Sequence, residues 1–295
     1  MITIENDQFK AEINEFGAEL THLISKKDNF DYIWNDVPEV KFWKRHAPIL
    51  FPAIGRSNGD SYEVNGTIYP MTQHGFARDR DFTVTTQSAS QVVFTQEANT
   101  ETRAVYPFDY VLEVTYTLQS DGLHVAAVVT NNGADEMPFA LGFHPAFNVT
   151  QNADGSFADY SLTLKGVKGP VEQFGIGPVP YRDGTKKPLT QARGDVIPLT
   201  HKFLDDGLVI IANSDIEEAT LVSSSQPHAV TLDVHEFPYL TIWSPEHEKA
   251  PFICVEPFAG LPDQAGEPAD WLQKAGNNIV APSSSKDFAF TILPH

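Results

Sequence analysis

Cysteine is almost missing from this chain: Cys254 is the only one among 295 residues. An intrachain disulfide and a cysteine-rich metal site are thereby excluded. The same scarcity suits a reducing compartment, so a cytoplasmic location is expected. Positive charge is also short. Twenty Lys and Arg against 39 Asp and Glu give a formal charge of −19. Duplex nucleic acid and anionic membrane surfaces are therefore poor partners, because both are bound by Lys and Arg that displace counterions. No apolar run approaches the roughly 20 residues that a membrane-spanning helix requires. No glycine-rich loop of the dinucleotide or P-loop kind occurs, and no cofactor is expected.

Helical periodicity is equally scarce. Proline is scattered over 21 positions, and only Thr190–Arg193 and Pro268–Gln273 have room for a turn or two of helix. A fold of alternating strands and helices is thus excluded. There is no Ser/Gly linker, no charge block and no fixed repeat, so residues 1–295 read as a single domain. Met1 to Lys10 alternates polar and apolar residues and lacks the order of a secretory signal, so it reads as a first strand.

What the chain does have is period-two alternation from end to end. Phe9, Ala11 and Ile13 show it early, Leu112, Val114, Tyr116 and Leu118 in the middle, and Phe288, Phe290 and Ile292 at the close. Asp121-Gly122 punctuates Tyr110–Leu118 and Leu123–Val129, and residues Ser223–Pro227 separate Ala219–Val222 from Val230–Val234. These patterns predict an all-β protein, a large antiparallel β-sandwich whose chemistry sits in the loops at one end or on one concave face.

Three segments carry groups able to do chemistry. From His46 to Arg80, Arg56 follows Gly55, and Arg78 closes Gln73-His74-Gly75-Phe76-Ala77-Arg78; four of the seven arginines lie in or beside this window. Guanidinium groups clustered in an acidic protein either pair with its surplus carboxylates or grip an oxygen-rich ligand; Arg56 and Arg78 are assigned to the ligand. In Leu141-Gly142-Phe143-His144-Pro145 the proline ends a strand, so His144 either faces a cleft or is satisfied inside the core. In Phe252-Ile253-Cys254-Val255-Glu256-Pro257 an apolar strand delivers an acid just as proline stops it. Burial raises a carboxyl pKa into the range useful for proton transfer, which makes Glu256 a candidate acid or base. Cys254 shares its face without any triad signature and reads as core filler. Histidines and a carboxylate can also bind a metal, but His74 and His144 lie in aromatic surroundings without a neighbouring histidine in sequence, and no metal is expected.

Together these segments resemble the aldose 1-epimerase family, the galactose mutarotases, and in particular its LacX-like bacterial branch. The resemblance runs from Phe16-Gly17-Ala18-Glu19-Leu20 and Tyr32-Ile33-Trp34 through Leu50-Phe51-Pro52, the segments around Arg56, His74 and His144, Leu240-Thr241-Ile242-Trp243 and Val255-Glu256-Pro257. It implies the galactose mutarotase-like form of the sandwich and an isomerase that interconverts the α and β anomers of a hexose by opening the ring. The glutamate matching Glu256 would take the anomeric hydroxyl proton, and the histidine matching His144 would protonate the ring oxygen. His74 and Arg56 would hold sugar oxygens, Arg78 would bind substrate, and Trp243 or Trp43 would face the sugar ring. The family's binding aspartate falls in His201-Lys202-Phe203-Leu204-Asp205-Asp206-Gly207-Leu208, where Asp206 is chosen over Asp205. Arg45 and Arg78 also match positions that would contact phosphate in a hexose-6-phosphate 1-epimerase. Two other readings stand beside these: a catalytically silent carbohydrate-binding or sensing module, and a glycoside hydrolase, which generally needs two carboxyl groups about 5 to 9.5 Å apart.

Overall fold

The computed structural model describes residues 1–35, 42–149 and 156–295, in which most strands form two large antiparallel sheets, beside a three-stranded sheet and two strand pairs. Strand makes up 48% of the structure and helix 7%, as the alternation requires. The nine-stranded sheet runs, edge to edge, through Val196–Pro198, Tyr160–Lys165, Glu218–Ser223, Val230–Asp233, Ser284–Pro294, Leu123–Asn131, Tyr110–Leu118, Gln91–Glu97 and Thr83–Gln87. Its centre shows why. In Tyr110–Leu118 every second residue from Tyr110 is buried, and Leu123–Asn131 repeats the pattern, so one register buries both apolar sets at once. A slip of one residue would expose all of them, at about 1.5 to 3 kcal/mol for each large apolar side chain.

The eight-stranded sheet runs through Arg182–Pro188, Glu172–Ile176, Val209–Ile211, Tyr239–Trp243, Phe252–Ala259, Leu141–Phe143 and Ile49–Leu50, with Ala146–Asn148 added beside Phe252–Ala259. The two sheets meet through aromatic contacts such as Phe143 on Phe290, with ring centres 4.8 Å apart, and one apolar core extends from Ile4 to Ile292. Alternation sorts the central strands of the eight-stranded sheet. Leu141, Phe143, Leu240, Ile242, Ile253 and Val255 join this core. The side chains between them, including His144, Trp243 and Glu256, face away from it and line a cavity on the far side.

Three local expectations are corrected. Thr190–Arg193 and Pro268–Gln273 form turns and isolated bridges, not helix. Helix appears instead at Thr100–Val105 and His201–Leu204. The first is started by Asn99, whose side chain accepts from the Glu101 and Thr102 amides while the Thr102 hydroxyl answers the Asn99 amide, a capping box that Asn-Thr-Glu-Thr spells in sequence. The opening segment is two strands, Ile2–Glu5 and Phe9–Asn14, because Asn6 Oδ1 accepts from the amides of Gln8 and Phe9 and turns the chain between them.

Candidate active site

Register decides which side chains share the cavity. Tyr239–Trp243 pairs with Phe252–Ala259 so that Thr241 lies opposite Glu256, and Leu141–Phe143 lies on the other side of that central strand with Leu141 opposite Ala259. His144, just past Phe143, therefore reaches Glu256: Nε2 to Oε2 is 3.3 Å, with side chains 8% and 2% exposed. Gly142 gives this contact its room indirectly. A Cβ there would stand 2.7 Å from the Phe258 ring and 3.1 Å from Ile54, two side chains that wall the cavity.

His74 arrives from a different part of the chain. The Phe51 carbonyl accepts from the amides of Phe76 and Ala77, and a Cβ on Gly75 would fall 2.2 Å from that carbonyl oxygen, so only glycine lets the loop come so close. The Gly55 amide donates to His74 Nδ1 at 3.1 Å, which assigns the proton to Nε2, the nitrogen that lies 3.4 Å from the Gln73 side-chain amide. The His74 and His144 rings meet edge to face with centres 5.7 Å apart, and Trp43 and Trp243 flank His144 at 5.0 and 5.7 Å. Arg45 and Arg78 complete the polar wall. Arg45 Nη2 donates to Asp79 Oδ1 at 2.6 Å, and Arg78 Nη2 to the Gln73 carbonyl at 2.8 Å. The cavity measures about 360 Å³, within the range usual for small-molecule sites. A larger hollow of about 610 Å³, beside Asp79 and Thr83, is lined by no imidazole among the described residues.

The electrostatics push both members of the central pair toward neutrality. Burial raises the Glu256 carboxyl well above its ordinary value. Burial, reinforced by the positive charges of Arg78 and Arg45, lowers His144 to about 3. His74 is lowered as well, by burial first and then by Arg78. Both shifts favour a protonated carboxyl beside a neutral imidazole, one donor and one acceptor in contact. Glu256 Oε1 and His144 Nδ1 are buried without a hydrogen-bond partner among the described residues. Unpaired polar atoms of this kind cost about 1 to 3 kcal/mol each and are concentrated where a ligand is to be met.

Cys254 lies two residues before Glu256 on the same face, and its thiol, with His144 and Glu256, makes a set of possible metal ligands within 4.8 Å of one another. Burial raises the Cys254 thiol well above its ordinary value. The side chain packs among Trp34, Ala146, Ala250 and Phe252.

Five of the residues singled out in sequence, Glu256, His144, His74, Arg78 and Trp243, come together here. Two do not. Arg56 turns outward and forms a bidentate pair with Asp60, at 2.7 and 2.8 Å, because the tight turn between them puts the carboxylate within its reach; only its neighbour Gly55 lines the cavity. Asp206 is exposed and borders a separate hollow with Gln173, Lys187 and Phe203. Asp205 is spent on the chain itself, accepting from the His247 amide at 2.8 Å. Glu246, which sequence reasoning passed over, lines the cavity and accepts from Trp243 Nε1 at 3.0 Å. The available signal was an acid placed just after a strand-ending Trp243-Ser244-Pro245.

Comparison with known proteins shows the family. The family model for aldose 1-epimerase matches residues 1–278. The chain belongs to the aldose 1-epimerase family. It is 29% identical over 303 residues to the chromosomal LacX protein of Lactococcus lactis subsp. lactis, covering 99% of both chains. Its structure superposes with a TM-score of 0.97 on a galactose mutarotase-like protein from Lactobacillus casei ATCC 334, at 56% identity over the full length of both. A galactose mutarotase related enzyme from Lactobacillus acidophilus follows with a TM-score of 0.91 and 28% identity, covering 100% of this chain and 97% of that one.

The buried pair makes a prediction about this epimerase-family fold that needs no substrate. Unfolded, Glu256 releases its proton above its ordinary value of 4.5, whereas folded it keeps it. The folded state then binds more protons, so this group's contribution to stability falls as pH rises above 4.5. His144 has the opposite sign: its contribution is complete above its ordinary 6.5 and is lost as pH falls toward about 3. In urea melts from pH 5 to 7, Glu256→Gln should therefore gain on wild type with rising pH, by up to about 1.4 kcal/mol per pH unit. Parallel curves would mean that Glu256 is ionised in the fold.

Proposed function

We propose that the protein is an aldose 1-epimerase acting on a hexose, with Glu256 and His144 as its proton-transfer pair. The observation that carries this reading is the 3.3 Å contact between His144 Nε2 and Glu256 Oε2 at the wall of a sugar-sized cavity. Ring opening needs a base at the anomeric hydroxyl and an acid at the ring oxygen, and no redox group or metal. When a cyclic sugar binds, the proton crosses from Glu256 to His144. The carboxylate then takes the proton of the anomeric hydroxyl, the bond between C1 and the ring oxygen breaks, and His144 hands its proton to that oxygen. This leaves an open aldehyde beside a protonated Glu256 and a neutral His144, the arrangement that burial favours. Rotation about C1–C2 turns the other aldehyde face toward the ring oxygen, and reversal of the transfers closes the opposite anomer.

His74, which lines the cavity with its proton on Nε2, holds a sugar oxygen, and Arg78 acts as a fixed donor, its pKa lowered by burial only to about 10 and so still cationic. Trp43 and Trp243 supply apolar contact to the C–H face of the ring.

A phosphorylated hexose is a second reading, favoured by one observation. Two guanidinium groups, Arg45 and Arg78, line the cavity and share one near carboxylate, Asp79, at 2.6 and 3.7 Å. Polarimetry on freshly dissolved glucose, galactose and their 6-phosphates tests both. Accelerated decay of rotation is expected for at least one sugar, and a preference for the esters selects the second reading. No acceleration with any of the four would refute the assignment of an epimerase.

A further inference from the structure

The cavity contains one carboxylate that the proton-transfer pair does not use. Glu246 sits on the turn between Tyr239–Trp243 and Phe252–Ala259, three residues past the indole that packs on His144. Two contacts aim it. Trp243 Nε1 donates to Oε1 at 3.0 Å. Asp205 Oδ1 accepts from the next amide, His247, at 2.8 Å, and so braces a turn in which His247 adopts a positive φ of 59°. Gly207 leaves open space beside Glu246, since even an added Cβ there would lie 3.9 Å from Oε1. Oε2 has no hydrogen-bond partner among the described residues.

We infer that Glu246 is the specificity-determining carboxylate of the site, accepting a hydrogen bond from a sugar hydroxyl remote from the reacting carbon, with Asp205 as the positioning residue that holds its turn. The inference rests on the epimerase reading for the identity of the ligand. A fixed carboxylate accepts from a hydroxyl that points at it and gains nothing from the epimer whose hydroxyl points away, so it selects among hexoses by configuration. The division of labour also accounts for the acidic segment around Asp205-Asp206: it supports the binding carboxylate from outside the cavity. Trp243 joins the two functions, since one indole both packs on the His144 ring and orients Glu246.

Isothermal titration of the full chain with glucose, galactose and mannose tests the inference separately from catalysis. Wild type is expected to separate its tightest from its weakest sugar by about tenfold or more, the scale of a hydrogen bond to a charged acceptor. In Glu246→Gln that ratio collapses toward one. Asp205→Asn moves it the same way, and Asp206→Asn leaves it within about twofold, as a surface change should. Absence of discrimination in wild type, or an unchanged ratio in Glu246→Gln, overturns the inference. Binding with the expected ratios but no accelerated mutarotation of any free or phosphorylated sugar overturns only the epimerase reading; no binding of any of the three overturns the inference and leaves the epimerase reading to polarimetry on the 6-phosphates.

Discussion

Glu256→Gln lowers the rate of anomer interconversion by about 10² to 10⁴-fold, the usual worth of one positioned proton carrier, with the fold intact. The substitution keeps the size and the hydrogen-bonding reach of the side chain and removes only its ability to exchange a proton. It also relieves a buried ionisable group, so thermal stability at neutral pH should hold or rise. His144→Asn is expected to fall by a similar factor. The double variant should be little worse than either single one, because an acid and a base that pass one proton between them act as a unit. Polarimetry on the fastest substrate, with circular dichroism as a check of folding, reads all three. Full activity in either single variant would show that the 3.3 Å pair is not the proton relay.

The second large effect is on stability. Lys274 Nζ lies 2.7 Å from Asp263 Oδ1, with side chains only 3% and 0% exposed. Asp263 Oδ2 also accepts from the Asn58 amide at 3.0 Å, and Arg182 Nε donates to the Pro262 carbonyl at 2.9 Å. This network fixes Pro262, a wall of the cavity against which Gly55 packs so closely that a Cβ there would clash at 2.6 Å. Lys274→Met keeps the packing volume but leaves a buried carboxylate unpaired, which typically costs about 3 to 5 kcal/mol. The urea midpoint should fall by that loss divided by the slope, with the slope itself unchanged. Adding Asp263→Asn should restore part of the loss, since removing both charges is far milder than stranding one. A midpoint equal to wild type would mean that the pair contributes nothing and that the loop is held by the Asn58 contacts alone.

Much of this was readable from the residues. Period-two burial named the strands, because an alternating sequence can hide its apolar half only in a sheet; Tyr110–Leu118 and Leu123–Asn131 pair as their pattern and the Asp121-Gly122 turn require. His144 could be singled out because Pro145 follows the end of an apolar strand, and Glu256 because it is an acid within one; the expectation that Pro257 stops that strand is corrected, since the strand runs on through Pro257 to Ala259. Arg56 misled for a physical reason: composition shows that an arginine is unusual in an acidic chain but not which carboxylate it meets, and Asp60, four residues on, claimed it. Asp206 misled through position, since the turn that follows His201–Leu204 leaves its carboxylate exposed beside another hollow and ties Asp205 to the His247 amide.

Local pattern was therefore enough to determine the class of fold, the faces of its strands and the kinds of group able to move protons. Tertiary structure alone decided which groups meet. His74, His144, Glu246 and Glu256 come from separate stretches of chain, and the register between strands and the close approach of Gly75 to Phe51 bring them to one cavity. The physical reason is that alternation fixes on which side of a sheet a residue lies, whereas proximity across strands depends on pairings between segments far apart in the chain, which no local pattern contains.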